Sequence, residues 1–129
     1  HSRRHKNRMM KVGIVGSHRR KDRDSVRDLV EGLPKDTTVV SGGRQGVDTW
    51  AIELAREFGF KTIEFYPYVP HPDCSAWMVK NAQKTQNQKI INSSDVIYAF
   101  VAEDREGTTE SLVKLAGKAG VPVEIVEAE

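Results

Sequence analysis

The sequence predicts an α/β domain of three layers, in which five strands form a mostly parallel sheet with helices on both faces. Two observations support this prediction. Short apolar segments rich in β-branched residues alternate along the chain with segments of helical apolar period. Glycine-containing loops also follow three of the apolar segments, which is typical of the turns that lead from parallel strands into helices. The 129 residues, of which 38% are hydrophobic, suit one compact domain.

Five apolar segments are the predicted strands, and each is short enough to cross a sheet once. A glycine-containing loop follows the first, second and fourth segments, whereas prolines punctuate the stretch after the third and predict an irregular loop there. The predicted strands are Lys11–Val15, Thr37–Val40, Lys61–Phe65, Asp95–Val101 and Val123–Val126.

Apolar residues at helical spacing predict helices between these strands. The first helix precedes Gly32 and Pro34, and the second ends at Gly59, where a left-handed cap belongs. The fourth helix is closed by Gly120 and Pro122. The apolar stripes of these three helices are Val26, Leu29, Val30 and Leu33; Val47, Trp50, Ala51, Leu54, Ala55 and Phe58; and Leu112, Leu115, Ala116 and Ala119.

The third predicted helix, at about residues 75–88, is unusually polar. This composition leaves two interpretations open, a solvated face or a contact with a second copy in a homodimer. Trp77 and Met78 at its start either stack on a base or pack in a dimer interface.

The positive charge of the chain is concentrated at its start. The net charge is +2, but residues 1–8 contain four basic side chains and no acidic one, so residues 9–129 carry −2. We expect residues 1–9 to be a disordered basic tail, either an extension foreign to the domain or an arm that binds nucleic acid. Residues 10–129 are the predicted nucleotide-binding domain.

The composition argues against a disulfide, a membrane-spanning segment and a metal site. The lone Cys74 cannot form an intramolecular disulfide and favours a cytoplasmic location. No apolar run approaches the roughly 20 residues needed to cross a bilayer, so no membrane partner is expected. The four histidines are scattered without metal-ligand spacing, and we predict neither a metal site nor a cofactor.

Three glycine-marked loops make up the predicted binding site. Glycine lets backbone N–H groups approach a ligand closely, and a helix N-terminus adds unpaired donors and a partial positive charge. Because parallel strands present their carboxyl ends at one edge, we expect these loops to converge on the phosphate of a nucleotide. The candidate binding residues are Gly16, Ser17, His18, Ser41, Gly42, Gly43, Arg44, Gly46, Val47, Asp48, Asn81, Gly107, Thr108 and Thr109.

Each loop also has an interpretation that needs no ligand. The loop after Gly16 is an ordinary turn in that view, its Arg19 and Arg20 are solvated, and Thr108 or Thr109 is a helix N-cap. The stretch 41–48, with three glycines, exceeds what a plain turn needs. Asp48 would repel a phosphate, so it is expected, like Asn81, to contact a sugar hydroxyl or to order the loops.

Together these motifs resemble the SLOG superfamily, named from SMF and Lonely Guy proteins, and most closely its small stand-alone branch of YspA- and YpsA-related proteins. The resemblance covers residues 11–126 and rests on five segments. It implies a Rossmann-like sheet and a nucleotide or nucleotide-derived ligand that the protein binds or senses. The segments are 12–17, 41–48, 80–82, 95–100 and 107–111.

Two other members of the superfamily imply alternative functions. Lonely Guy enzymes hydrolyse the N-glycosidic bond of nucleoside monophosphates, and here Glu110 and Lys80 would be substitutes for their catalytic glutamate and arginine. Ser111 stands where their glutamate would be, and a lysine lacks the bidentate fork of arginine. DNA-processing protein A has a loop similar to 41–48 and implies binding of single-stranded DNA, which the acidic body of this chain makes the less favoured partner.

Overall fold

The structure is a computed structural model, and it describes residues 10–66 and 75–128. The predicted basic tail, the proline-punctuated loop and Cys74 lie outside these residues. Five strands and four helices alternate along the described part. In chain order they are β1 Lys11–Gly16, α1 Arg23–Glu31, β2 Thr38–Gly42, α2 Val47–Glu57, β3 Lys61–Phe65, α3 Ala76–Asn92, β4 Val96–Phe100, α4 Thr108–Ala119 and β5 Val123–Val126.

The five strands form one sheet in the order β3-β2-β1-β4-β5, and every neighbouring pair is parallel. The chain first builds the sheet outward from β1 to β3 and then crosses back to place β4 on the other side of β1. This reversal of strand order puts the loops that follow β1 and β4 side by side at the carboxyl edge. The predicted α/β fold with a parallel five-stranded sheet is therefore confirmed.

The helices divide into two pairs, one on each face of the sheet. Alternate side chains of the strands point to opposite faces, so Ile14 packs toward α1 and α2 while Val15 packs toward α3 and α4. The buried core on the first face includes Val26, Val30, Ala51 and Leu54, and the core on the second includes Ile90, Ile91, Leu112 and Ala116. Both faces of the sheet are covered, as the predicted three layers require.

The polar helix α3 extends beyond its predicted end. It runs to Asn92 rather than Gln88, because Ile90 and Ile91 in its last turn are fully buried against the sheet. Ser75 caps its start by accepting the N–H of Met78 at 3.3 Å. Within the described residues, no helix has both the length and the apolar character that a membrane span demands.

Candidate functional site

Asp48 connects the loops at the carboxyl edge. Its side chain is fully buried at the first turn of α2, and its Oδ1 accepts the backbone N–H of Gly16 at 3.2 Å. The second oxygen, Oδ2, lies 3.9 Å from Nε of Arg44. The carboxylate therefore ties the end of β1 to the loop that follows β2, and it orders these loops from the protein interior.

Burial raises the pKa of Asp48 to about 6, because a charged carboxylate loses its hydration inside the protein. The guanidinium of Arg44 and the backbone N–H groups of Gly16 and Gly42 act in the opposite direction and lower it. The Oδ2 atom accepts no hydrogen bond within the described part of the chain. A buried carboxylate with this pKa changes its protonation around pH 6.

Two of the predicted phosphate-binding glycines are required by packing. A Cβ on Gly16 would lie 2.7 Å from Cβ of Val47, because α2 approaches β1 closely there. A Cβ on Gly42 would lie 2.6 Å from Nε2 of Gln86 and 2.7 Å from Oδ2 of Asp48. The absence of a side chain at these glycines allows α2 and α3 to pack closely against the ends of β1 and β2.

The hydroxyl groups of the first two loops are engaged inside the protein. Ser41 donates to the carbonyl of Ile14, and Oγ of Ser17 accepts the N–H of Arg19 at 3.1 Å. The N–H of Ser17 donates to the carbonyl of Phe100 at 2.9 Å. The N–H groups of Gly16 and Ser17 are therefore used within the fold, whereas the Ser17 hydroxyl acts only as an acceptor in these contacts.

Arg20 makes buried contacts on the β4–β5 side of the carboxyl edge. Its side chain is 5% exposed. Its Nη1 donates to the carbonyls of Val101 at 3.0 Å and Val126 at 2.8 Å, while Nε donates to Asp22 at 2.9 Å. The guanidinium also lies 5.2 Å from the ring centre of Phe100. This arginine joins the β1 loop to the ends of β4 and β5.

A second arginine bridges the same two loops at the surface. Arg19 makes a bidentate ion pair with Asp104, at 2.7 and 2.8 Å, and both side chains are about half exposed. The pair holds the pKa of Asp104 below its ordinary value, chiefly through the hydrogen bonds from the guanidinium. The crevice between β1 and β4 is thus spanned by the protein's own side chains.

Arg44 crosses the other half of the edge and is differently placed. It extends from the β2 loop to α4, where Nη1 donates to Oγ1 of Thr108, and its side chain is 22% exposed. Its Nε and Nη2 are buried and donate to no acceptor within residues 10–66 and 75–128. We call these two atoms the open nitrogens of Arg44. Buried donors of a cation are costly to leave without an acceptor.

The N-terminus of α4 faces this arginine. Gly107 is its N-cap with φ of 111°, a backbone conformation that glycine adopts without strain, and none of the described side chains caps the helix. Thr109, 2% exposed, has a hydroxyl without a partner among the described residues. The cationic side chain and the helix end without a side-chain cap both favour an anion, and the Thr109 hydroxyl is buried in the same helical turn.

Beside Thr108, a groove of about 440 Å³ runs between α3 and α4. Its side chains include three lysines, and no carboxylate is found among the lining residues of the described chain. We call it the lysine groove, and its lining residues are Lys80, Gln83, Lys84, Asn87, Thr108, Ser111, Lys114 and Leu115. Asn87 is 3% exposed, and its Oδ1 has no partner in the part of the chain described.

The predicted catalytic pair is not brought together. Lys80 lines the groove, but Glu110 pairs with Arg105 at 2.6 Å and is not among the lining residues. Ser111 faces the groove in its place. Asn81, the other residue predicted on α3, is exposed and does not line the groove in the described structure.

The remaining predicted site residues border the loops. Gly46 is the N-cap of α2 with φ of 94°, and a Cβ on it would lie 3.4 Å from Cα of His18. Gly43 lies under the ring of Tyr66, where a Cβ would collide with it. Val47 is buried in the core. Over the described residues, no group of three His, Cys, Asp or Glu side chains is placed to hold a metal.

Sequence reasoning missed part of the groove. Lys84 and Asn87 lie four and seven positions after Lys80, and Lys114 lies three after Ser111, so each set shares one helix face. This spacing was the available signal. It shows which residues share a face, but not that the two faces border one groove.

The comparisons with known proteins show the fold. No family model and no curated protein matches the sequence. Among solved structures, DNA processing protein A (DprA) from Streptococcus pneumoniae superposes with a TM-score of 0.76 at 21% sequence identity. The match covers 94% of this chain and 51% of that one, so the chain spans about half the length of that protein. This likeness agrees with a Rossmann-like α/β fold.

Proposed function

We propose that this protein binds the phosphate group of a nucleotide at the carboxyl edge of its sheet, between the β2 loop and the start of α4. The open nitrogens of Arg44 are the observation that carries the proposal. Hydrogen bonds from a charged group contribute roughly 1.5–3 kcal/mol each when an acceptor is present. A phosphate oxygen is an acceptor of matching charge and geometry.

The neighbouring residues support an anion rather than a neutral ligand. Thr108 and Thr109 contribute hydroxyls at the helix N-terminus, where the peptide dipoles favour negative charge. Nε of Arg44 lies 3.9 Å from Oδ2 of Asp48, while Nη1 donates to Thr108 of the groove lining, so we place the ligand on the Thr108 side of the guanidinium. In this proposal Gly16, Ser17 and Ser41 shape the loops, and Asp48 orders them.

The proposal includes membership of the SLOG superfamily and a domain that begins near residue 10. The glycine loops, the Gly107-Thr108-Thr109 helix start and the topology support that assignment. The superfamily's N-glycosidase activity is not part of the proposal. Glu110 is held by Arg105, and the groove lining in the described residues contains no acid to act on a nucleotide.

Calorimetric titration of nucleoside 5′-monophosphates and inorganic phosphate tests the binding proposal. Binding by the wild type should fall at least tenfold in R44Q, because glutamine removes the cation. R23Q is the matched control, since Arg23 is an exposed arginine that pairs with Glu53 at 3.5 Å. Equal affinities in wild type and R44Q, or no binding by any of these ligands, would contradict the proposal.

Single-stranded DNA is the second candidate ligand. The structural likeness to DNA processing protein A and the run of lysines along the groove favour it. A labelled oligothymidine should then bind with an affinity that falls steeply with salt. The predicted role of residues 1–8 as a nucleic-acid-binding arm requires that their deletion weakens this binding, and an unchanged affinity would remove the arm from the account.

A further inference from the structure

We infer that the ligand of this site is a single nucleotide carrying two or three phosphate groups. The inference rests on the proposed function and deepens it, because it assigns the second part of the ligand to the lysine groove. Arg44 and Thr108 hold one phosphate, and Lys80, Lys84 and Lys114 receive the next.

Continuity between the two parts of the site is the first argument. Thr108 accepts a hydrogen bond from Arg44 and also lines the lysine groove. In this inference the phosphate that Arg44 binds lies next to Thr108, at the end of the groove that Thr108 lines. A second phosphate linked to the first would enter the groove directly.

Charge is the second argument. Arg44 faces the carboxylate of Asp48, but the groove offers three lysines and no acid among its lining residues in the described chain. Ammonium groups bind phosphates as compact point charges. Three cations in one groove exceed what a monophosphate already held by Arg44 needs, and they match the charge of further phosphate groups.

Asn87 indicates that the ligand is more than a chain of phosphates. Its buried Oδ1 lacks a partner among the described residues and belongs to a side chain that lines the groove. An amide oxygen requires a hydrogen-bond donor. A fully ionised phosphate has none to offer, whereas a sugar hydroxyl or a base N–H does. Leu115 and the lysine stems supply apolar wall for the flat face of a base.

Size favours one nucleotide over a strand. The groove volume of about 440 Å³ falls within the range of small-molecule sites. Proteins that bind single strands instead use tracks of roughly 4–16 nucleotides with successive stacking platforms. The inference therefore commits to a free nucleotide, and a bound oligonucleotide is an outcome that overturns it.

The test compares the mono-, di- and triphosphates of the four common ribonucleosides by calorimetry. For at least one base, the wild type should bind the di- or triphosphate at least tenfold more tightly than the monophosphate. K84Q and K114Q should each reduce this ratio about fivefold. K89Q on α3 and K118Q on α4 are matched controls, because these lysines lie on the same helices outside the groove lining.

Pyrophosphate and N87L test the role of Asn87. Leucine keeps the size of the side chain but removes the acceptor, so N87L should weaken nucleotide binding several-fold and leave pyrophosphate binding unchanged. Equal loss for both ligands would overturn the role of Asn87. Thermal melts of each variant without ligand show whether it remains folded.

The outcomes separate the inference from the function on which it rests. If R44Q abolishes binding but mono- and triphosphates bind equally well to the wild type, phosphate binding stands and the inference fails. If a ten-residue oligothymidine binds more tightly than any triphosphate and loses affinity in K84Q, the groove holds a strand and the inference fails. If no nucleotide or phosphate binds, the proposed function fails as well.

Discussion

Two arginines at the same sheet edge, one buried and one partly exposed, differ in how their charge is used. Arg20 lies on the β4–β5 side and directs its guanidinium to Asp22 and to the carbonyls of Val101 and Val126. Arg44 lies on the β2–α4 side and retains its open nitrogens. An arginine whose donors are satisfied internally completes the fold. In the proposed function, a ligand supplies the acceptor that the open nitrogens of Arg44 lack among the described residues.

The largest expected effect is the difference in the free energy of unfolding between variants of these two arginines. R20Q should lower the free energy of unfolding by about 3–5 kcal/mol, since it leaves two strand-end carbonyls and a carboxylate without their cation. R44Q should lower it less, by about 1–2 kcal/mol, because the Arg44 side chain makes a single hydrogen bond and its ion pair with the buried Asp48 is 3.9 Å long within the described structure. Urea denaturation measures both, and equal losses would contradict the comparison.

The next largest expected effect is the dependence of stability on pH that arises from the titration of Asp48. Its folded-state pKa of about 6 lies above the ordinary value of 3.8, so the fold binds the proton more tightly than the unfolded chain. Its contribution to stability is fully present below about pH 4 and is lost as pH rises through 6. The loss amounts to about 3 kcal/mol.

The variant D48N isolates this titration from all others. Asparagine can still accept the N–H of Gly16 through its amide oxygen but carries no titrating proton. Denaturation between pH 4 and 7 should therefore show wild-type stability falling relative to D48N as pH rises. Parallel stability curves for the two proteins would mean that Asp48 does not titrate in this range.

The smallest expected effect concerns the glycines of the edge. G16A should cost about 1–3 kcal/mol whether or not ligand is present, because the added methyl overlaps Val47. G117A is the matched control, since Gly117 lies within α4 with open space around it, and alanine there should stabilise by up to about 1 kcal/mol. If G16A is as stable as the wild type, the packing role of Gly16 is contradicted and only a ligand-binding role is left for this glycine.

The fold was largely predictable from the sequence. Strand and helix segments follow from apolar period and glycine position, because burial on two sheet faces imposes them. The end of α3 was predicted too early because its polar run obscured Ile90 and Ile91. The convergence of the loops also followed from the parallel connections, since they place all strand ends at one edge.

The use made of each edge residue was not predictable. Arg19 and Arg20 are adjacent in one charged run, yet one is half exposed and the other is buried across three strand ends. Their difference depends on Val126, more than a hundred positions away. The placement of the Arg44 guanidinium similarly depends on Thr108 in another helix, to which its Nη1 donates. Such contacts are set by tertiary packing and leave no local periodic signal.

Direct observation of the Arg44 side chain tests the central claim most sharply. In ¹H–¹⁵N spectra, the Nε–H signal of Arg44 can be assigned by its absence in R44Q, and that of Arg20 by its absence in R20Q. Titration with a nucleoside monophosphate should shift the Arg44 signal saturably and leave the Arg20 signal in place. An Arg44 signal that does not move at saturating ligand, or equal shifts at both arginines, would contradict the account.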